Sequence, residues 1–223
     1  TSLLVGNLPT GPLATLGRRA AVRTDSLAWS PDGAWLAYPF WTSSRHCAIK
    51  LANVASGQST LVTTPEFRDY APAFDPAGRY LYFLSVRTFD PVYDNVQFEL
   101  SFPRAARPYL IALQADASPP FEPPLRGMKP AHDEAERKGE GAERKPLRVD
   151  LDGIAQRVAA FPVREGLYGQ IAGVATGRGK VMWTQFDIPG AHGRGGHKQG
   201  PGRLEVFDFD SGRAEMLMDK VER

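Results

Sequence analysis

The segment LAWSPDGAWLAY, from Leu27 to Tyr38, is nearly restated as PAFDPAGRYLYF from Pro72 to Phe83. Pro31 aligns with Pro76, Gly33 with Gly78 and Leu36 with Leu81, each pair 45 residues apart. A repeat of about 40–50 residues is the length of one propeller blade, a four-stranded antiparallel sheet in a radial array. Each copy reads as a hairpin. Ser30-Pro31-Asp32-Gly33 and Asp75-Pro76-Ala77-Gly78 supply its turn. Proline presets φ at the second turn position, aspartate bonds back to the backbone, and glycine relieves the exit.

The strands after these turns, AWLAYPF and RYLYFLS, are apolar at successive positions. A strand with one wet face alternates, whereas one buried on both faces reads as a continuous apolar run. Both strands are therefore expected to pack between neighbouring blades. A second hairpin recurs 155 residues apart, as IKLANVASGQSTLV (Ile49 to Val62) and LEVFDFDSGRAEML (Leu204 to Leu217). Its alternating strands around a Ser-Gly turn fit the outer pair of a blade.

The predicted fold class is all-β, a partial β-propeller of three to four four-stranded blades. Residues 1–20 are expected to be the remnant of a preceding blade, 21–64 a blade and 65–124 a second. Residues 125–148 read as a charged mobile loop, and 149–223 as a third blade with a Gly-rich insertion at 190–202. The loop expectation rests on RGMKPAHDEAERKGEGAERKPLR, Arg126 to Arg148, where mixed charge, glycine and proline leave too little apolar surface to offset ordering. Three blades and a remnant fall short of a closed ring, so the chain is expected to be part of a longer protein.

Several functions lose support on composition. Lysine and arginine total 27 against 25 acidic residues, a net charge of +2, which offers no field for nucleic acid or an anionic membrane. No apolar run reaches the roughly 18 residues of a membrane span. Cys47 is the single cysteine, so no internal disulfide forms, and it reads as a small buried hydrophobe in a reducing compartment. His192 and His197 lie on a Gly-rich stretch without a partner at metal-ligand spacing. GVATGRGK, Gly173 to Lys180, misplaces its second glycine for a phosphate loop and has Val181 where serine or threonine is required. No G-x-S-x-G elbow occurs, and neither His46 nor His132 has a nucleophile's context. No cofactor, metal or catalytic residue is expected within this chain.

One stretch, FDPVYDNVQFELSFPRAARPYLIAL from Phe89, is neither repeat nor filler, and a later one, DLDGIAQRVAAFPVREGLYGQIAG from Asp150 to Gly173, is expected to open the third blade. In this order, with SPPFEPP (Ser118 to Pro124) between them, they resemble the second, seven-bladed propeller of the tricorn protease family. The SPDG turn is shared more widely, with propellers of TolB and of the prolyl-oligopeptidase and acylaminoacyl-peptidase group. The resemblance covers essentially the whole chain. It implies a cytoplasmic, homo-oligomeric serine peptidase cutting short peptides, with its catalytic and PDZ-like domains elsewhere in the same polypeptide. The propeller's implied part is a sieve whose channel admits unfolded peptides. Arg104 and Arg107, beside Pro103, are candidates for contact with peptide carboxylates, since a guanidinium forks onto a carboxylate with two parallel hydrogen bonds. The alternative is that they are ordinary surface arginines or pair with Asp94 and Glu99. The other functional reading is a stand-alone TolB-like propeller that binds proteins.

Overall fold

The computed structural model describes residues 2–5, 14–18, 26–88, 92–93, 100–101, 104–117, 121, 146–175, 179–187 and 201–222. The first hairpin pairs β1 (Ser2–Val5) with β2 (Ala14–Arg18). A blade follows from β3 (Ala28–Trp29), β4 (Trp35–Trp41), β5 (Cys47–Asn53) and β6 (Ser59–Leu61), paired antiparallel in sequence order. The second blade starts with β7 (Arg68–Phe74) and β8 (Tyr80–Val86). A short pair, β9 (Val92–Tyr93) with β10 (Leu100–Ser101), precedes β11 (Ala106–Ala112), which pairs with β8. The third blade, after β12 (Val158–Ala160), is β13 (Leu167–Val174), β14 (Lys180–Phe186), β15 (Gly202–Asp208) and β16 (Arg213–Val221). One 3-10 turn, Ile154–Arg157, is the helical element among the described residues.

The duplicated turn has one backbone and two side-chain solutions. Gly33 and Gly78 both take the left-handed region, at φ 75 and 74, and each donates its N–H to the carbonyl three residues before. In the first copy Ser30 Oγ donates to Asp32 Oδ1 at 2.6 Å, while Asp32 Oδ1 also accepts the Ala34 N–H at 3.0 Å. In the second copy Asp75 takes the serine's place and accepts from the Arg79 N–H at 3.1 Å and from Arg79 Nε at 2.9 Å. The Ser-Gly turns also recur: Gly57 donates to Asn53 and Gly212 to Asp208, at φ 69 and 65.

The apolar run of β8 is explained by its two neighbours. Side chains alternate across a strand. Leu81 and Phe83 therefore join Ala37, Ile49 and Leu51 of the first blade, while Tyr82 and Leu84 join Ile171, Val181, Trp183 and Phe207 of the third. Phe161, fully buried, lies within 6.0 Å of the rings of Tyr82, Phe121, Trp183, Phe207 and Phe209. This aromatic cluster is the seam between blades two and three.

The second blade does not end at 124. Its outermost strand, β12, comes from beyond the charged segment and pairs with β11 at Tyr109–Ala160, Leu110–Ala159 and Ile111–Val158. The sequence reading placed these residues at the head of the third blade. Pairing chemistry decides otherwise, because β11 would leave its outer backbone groups unpaired without them. Of the expected loop, 125–145 lies outside the described residues. Leu147 is docked: its N–H donates to Asp32 Oδ2 at 2.6 Å and its side chain packs on the core between blades one and two. The Gly-rich insertion falls outside the described residues through position 200, as do His192 and His197.

Candidate functional site

The innermost strands β3, β7 and β13 lie side by side, and β7 and β13 line a cleft of about 730 Å³ together with Ser26, Pro39 and Trp41 of the first blade. The repeat places its lining. Ser26 and Ala71 both line it, as do Trp41 and Val86, and each pair is 45 residues apart. Equivalent positions of successive blades thus face one cavity. Blade three adds Leu167 and the stretch to Ile171. The walls mix apolar and polar groups, and Arg68 is the one charged side chain among the described lining residues.

Arg68 opens β7, where Cys47 N donates to the Phe67 carbonyl at 2.9 Å and joins the first two blades. Its guanidinium carbon lies 5.4 Å from the Trp41 ring centre and 5.9 Å from that of Tyr70, within cation–π range. Tyr70 Oη donates to the Tyr168 carbonyl at 3.2 Å, linking the innermost strands of blades two and three. Next to Arg68 in sequence, Asp69 is fully buried and committed elsewhere, to Ser85 and to Arg87 at 3.3 Å.

The two sequence candidates separate. Arg104 is exposed in the turn before β11, one residue from Ala105 of the cleft lining. Arg107 points into the junction of blades two and three, where Nε donates to the Phe161 carbonyl at 2.9 Å and Nη1 pairs with Glu165 Oε1 at 3.1 Å. Asp94 and Glu99 lie outside the described residues. Arg68, Trp41 and Tyr70 were not singled out by the sequence. A signal was present: Trp41 ends one repeat's apolar strand where Val86 ends the next.

Nucleophile chemistry has one local echo. Ser43 Oγ lies 3.0 Å from His46 Nδ1, but the same oxygen accepts N–H groups from Arg45 and His46 at 3.2 and 3.0 Å. This is an exposed turn closing on itself, with the hydroxyl's lone pairs already taken. Among the described residues, no group of three His, Cys, Asp or Glu side chains is placed to hold a metal ion. Nor is any helix there long and apolar enough to cross a membrane.

Comparison with known proteins matches residues 1–223 to the family described as the tricorn protease second beta propeller domain. A tricorn protease homolog of Saccharolobus solfataricus is 38% identical over 193 residues, covering 86% of this chain and 16% of that protein. Tricorn protease homolog 1 of Streptomyces coelicolor is 34% identical over 195 residues, 86% of this chain and 18% of the relative. The chain therefore spans about a fifth or less of these relatives. A crystal structure of the tricorn protease superposes with a TM-score of 0.76 at 22% identity, over 98% of this chain and 20% of that one. A TolB structure from Agrobacterium tumefaciens reaches 0.53 at 18% identity, over 94% and 53%. Both structural likenesses speak to the fold.

Proposed function

The chain belongs to the tricorn protease family, as part of its second β-propeller, and from that premise we propose that it guides peptide substrates toward a serine peptidase site located outside these residues. The observation that carries this reading is the cleft walled by the innermost strands β7 and β13 of two blades together with Ser26, Pro39 and Trp41 of the first. A passage bounded by rigid sheets selects by width, so an unfolded peptide enters and a folded domain does not. Walls of mixed polarity tolerate many side chains, which suits a guide better than a specific binding pocket. Arg104, exposed beside the lining, is placed in this reading as a contact for peptide carboxylates at the rim. Arg107 serves it indirectly, through the Glu165 pair that fixes Gly166 of the lining. A cytoplasmic, homo-oligomeric peptidase with catalytic and PDZ-like domains in the same polypeptide completes the proposal.

The experiment uses the protein that carries this chain, with Gln170→Trp to narrow the passage at an exposed lining position. Cleavage of long peptides should slow while peptides of two or three residues are cut at nearly the original kcat/KM. Equal effects on both lengths overturn the guiding role. The TolB-like alternative predicts no peptidase activity in either protein.

A further inference from the structure

Two innermost strands break their regularity inside the cleft. β7 pairs with β8 through Tyr70, slips, and resumes at Ala73; Ala71, in the slip, has φ 51. Left-handed backbone crowds the Cβ of alanine against the following carbonyl. Such a conformation persists where its surroundings over-determine it, a pattern concentrated at ligand-contacting segments. Opposite, β13 slips against β14 between Tyr168 and Ile171. Both slips belong to the cleft wall, and Tyr70 bridges them through its hydroxyl. Bulges re-aim side chains and interrupt pairing, and they recur beside functional sites.

Arg68 stands at the start of the bulged strand, flanked by the rings of Trp41 and Tyr70. Aromatic stacking engages the faces of a guanidinium and leaves its in-plane N–H donors for a planar acceptor. Ordering the side chain in advance also lowers the entropy lost on binding. The neighbouring carboxylate, Asp69, is consumed by Arg87 and Ser85, and Arg68 takes part in none of the ion pairs recorded among the described residues. One positive charge within otherwise uncharged walls of mixed polarity complements a ligand with one negative end and an otherwise neutral body.

We propose that this cleft is a subsite for the C-terminal end of an extended peptide, with Arg68 receiving the free α-carboxylate and Val86 and Leu167 receiving the last side chains. It rests on the peptide-guiding reading and adds to it a polarity, the carboxyl end held at this rim. Trp41 and Tyr70 are positioning residues that act through Arg68.

The test uses the complete protein carrying this chain and a hexapeptide with p-benzoylphenylalanine next to a C-terminal leucine, made as the free acid and as the amide. A third peptide is amidated and carries a C-terminal glutamate. After irradiation, labelled positions are mapped by mass spectrometry. The free acid should label the segments around residues 41, 68–72 and 166–171 about tenfold more than the amide, as expected for one charge-assisted pair. Arg68→Gln should abolish that ratio, Arg68→Lys should keep part of it, and Trp41→Leu should lower it with Arg68 intact. Equal labelling by acid and amide, a preference that survives Arg68→Gln, or full labelling by the amidated glutamate peptide each overturn the α-carboxylate subsite. Loss of the subsite with the length dependence of Gln170→Trp intact leaves the guiding role standing. Absence of both removes both.

Discussion

The guanidinium of Arg87 lies 3.3 Å from each carboxylate oxygen of Asp69, a residue with no solvent exposure. Arg87 is itself stacked on Phe67 at 4.5 Å and Tyr109 at 4.6 Å, so one cation ties the start of β7 to β8 and β11. Removing one partner of a buried pair strands the other charge. Arg87→Met should destabilise the protein by about 3–5 kcal/mol, measured by urea unfolding. Adding Asp69→Asn should recover a substantial part of the loss. A single-variant loss below about 1 kcal/mol would mean that Asp69 finds compensation elsewhere.

The duplicated glycines allow a controlled comparison. A Cβ at Gly33 meets nothing within 4 Å, whereas one at Gly78 would lie 2.6 Å from Leu147 Cδ1. Gly33→Ala should cost about 1–2 kcal/mol, the backbone strain alone. Gly78→Ala should cost more because Leu147 is also displaced from the core between the first two blades. In a Leu147→Ala background the two alanine substitutions should cost the same, by thermal or urea unfolding. A persistent excess at Gly78 would assign the cost to something other than Leu147.

Phe161 sits at the centre of the aromatic seam. Phe161→Ala should cost about 3–5 kcal/mol, through lost transfer energy and the cavity left behind. Because Trp183 packs edge-on against Phe161 at 5.4 Å, near-ultraviolet dichroism should weaken along with stability. Full retention of the tryptophan signal would place the seam's rigidity elsewhere.

Burial, reinforced by the charge of Asp69, pushes the Cys47 thiol up to about 12 from an ordinary 9.0. The unfolded chain therefore releases this proton before the folded one does. The contribution is fully present below pH 9 and declines as pH rises through 9 to 12. A thiol-reactive disulfide reagent at pH 8 should modify Cys47 at the rate of global unfolding and promptly in urea. Cys47→Ala should remove its share of the alkaline loss. Fast modification of the folded protein would contradict the burial.

Local and periodic features were legible in the sequence. The 45-residue repeat located Gly33 and Gly78, whose positive φ a turn demands, and the apolar runs of β4 and β8 announced burial on both faces. The paired Ser-Gly turns announced the outer hairpins, since turn chemistry is written within a few residues. The tertiary structure alone decided what depends on distant pairing. It assigned Val158–Ala160 to the second blade, because an open strand edge recruits whatever segment can reach it, across any length of intervening chain. It placed Arg107 against Glu165, and it gathered Arg68, Trp41 and Tyr70 around one cleft. A repeat specifies which position of a blade faces the axis. The chemistry collected there depends on how successive blades pack, and side-chain contacts between blades carry no signature in residue spacing.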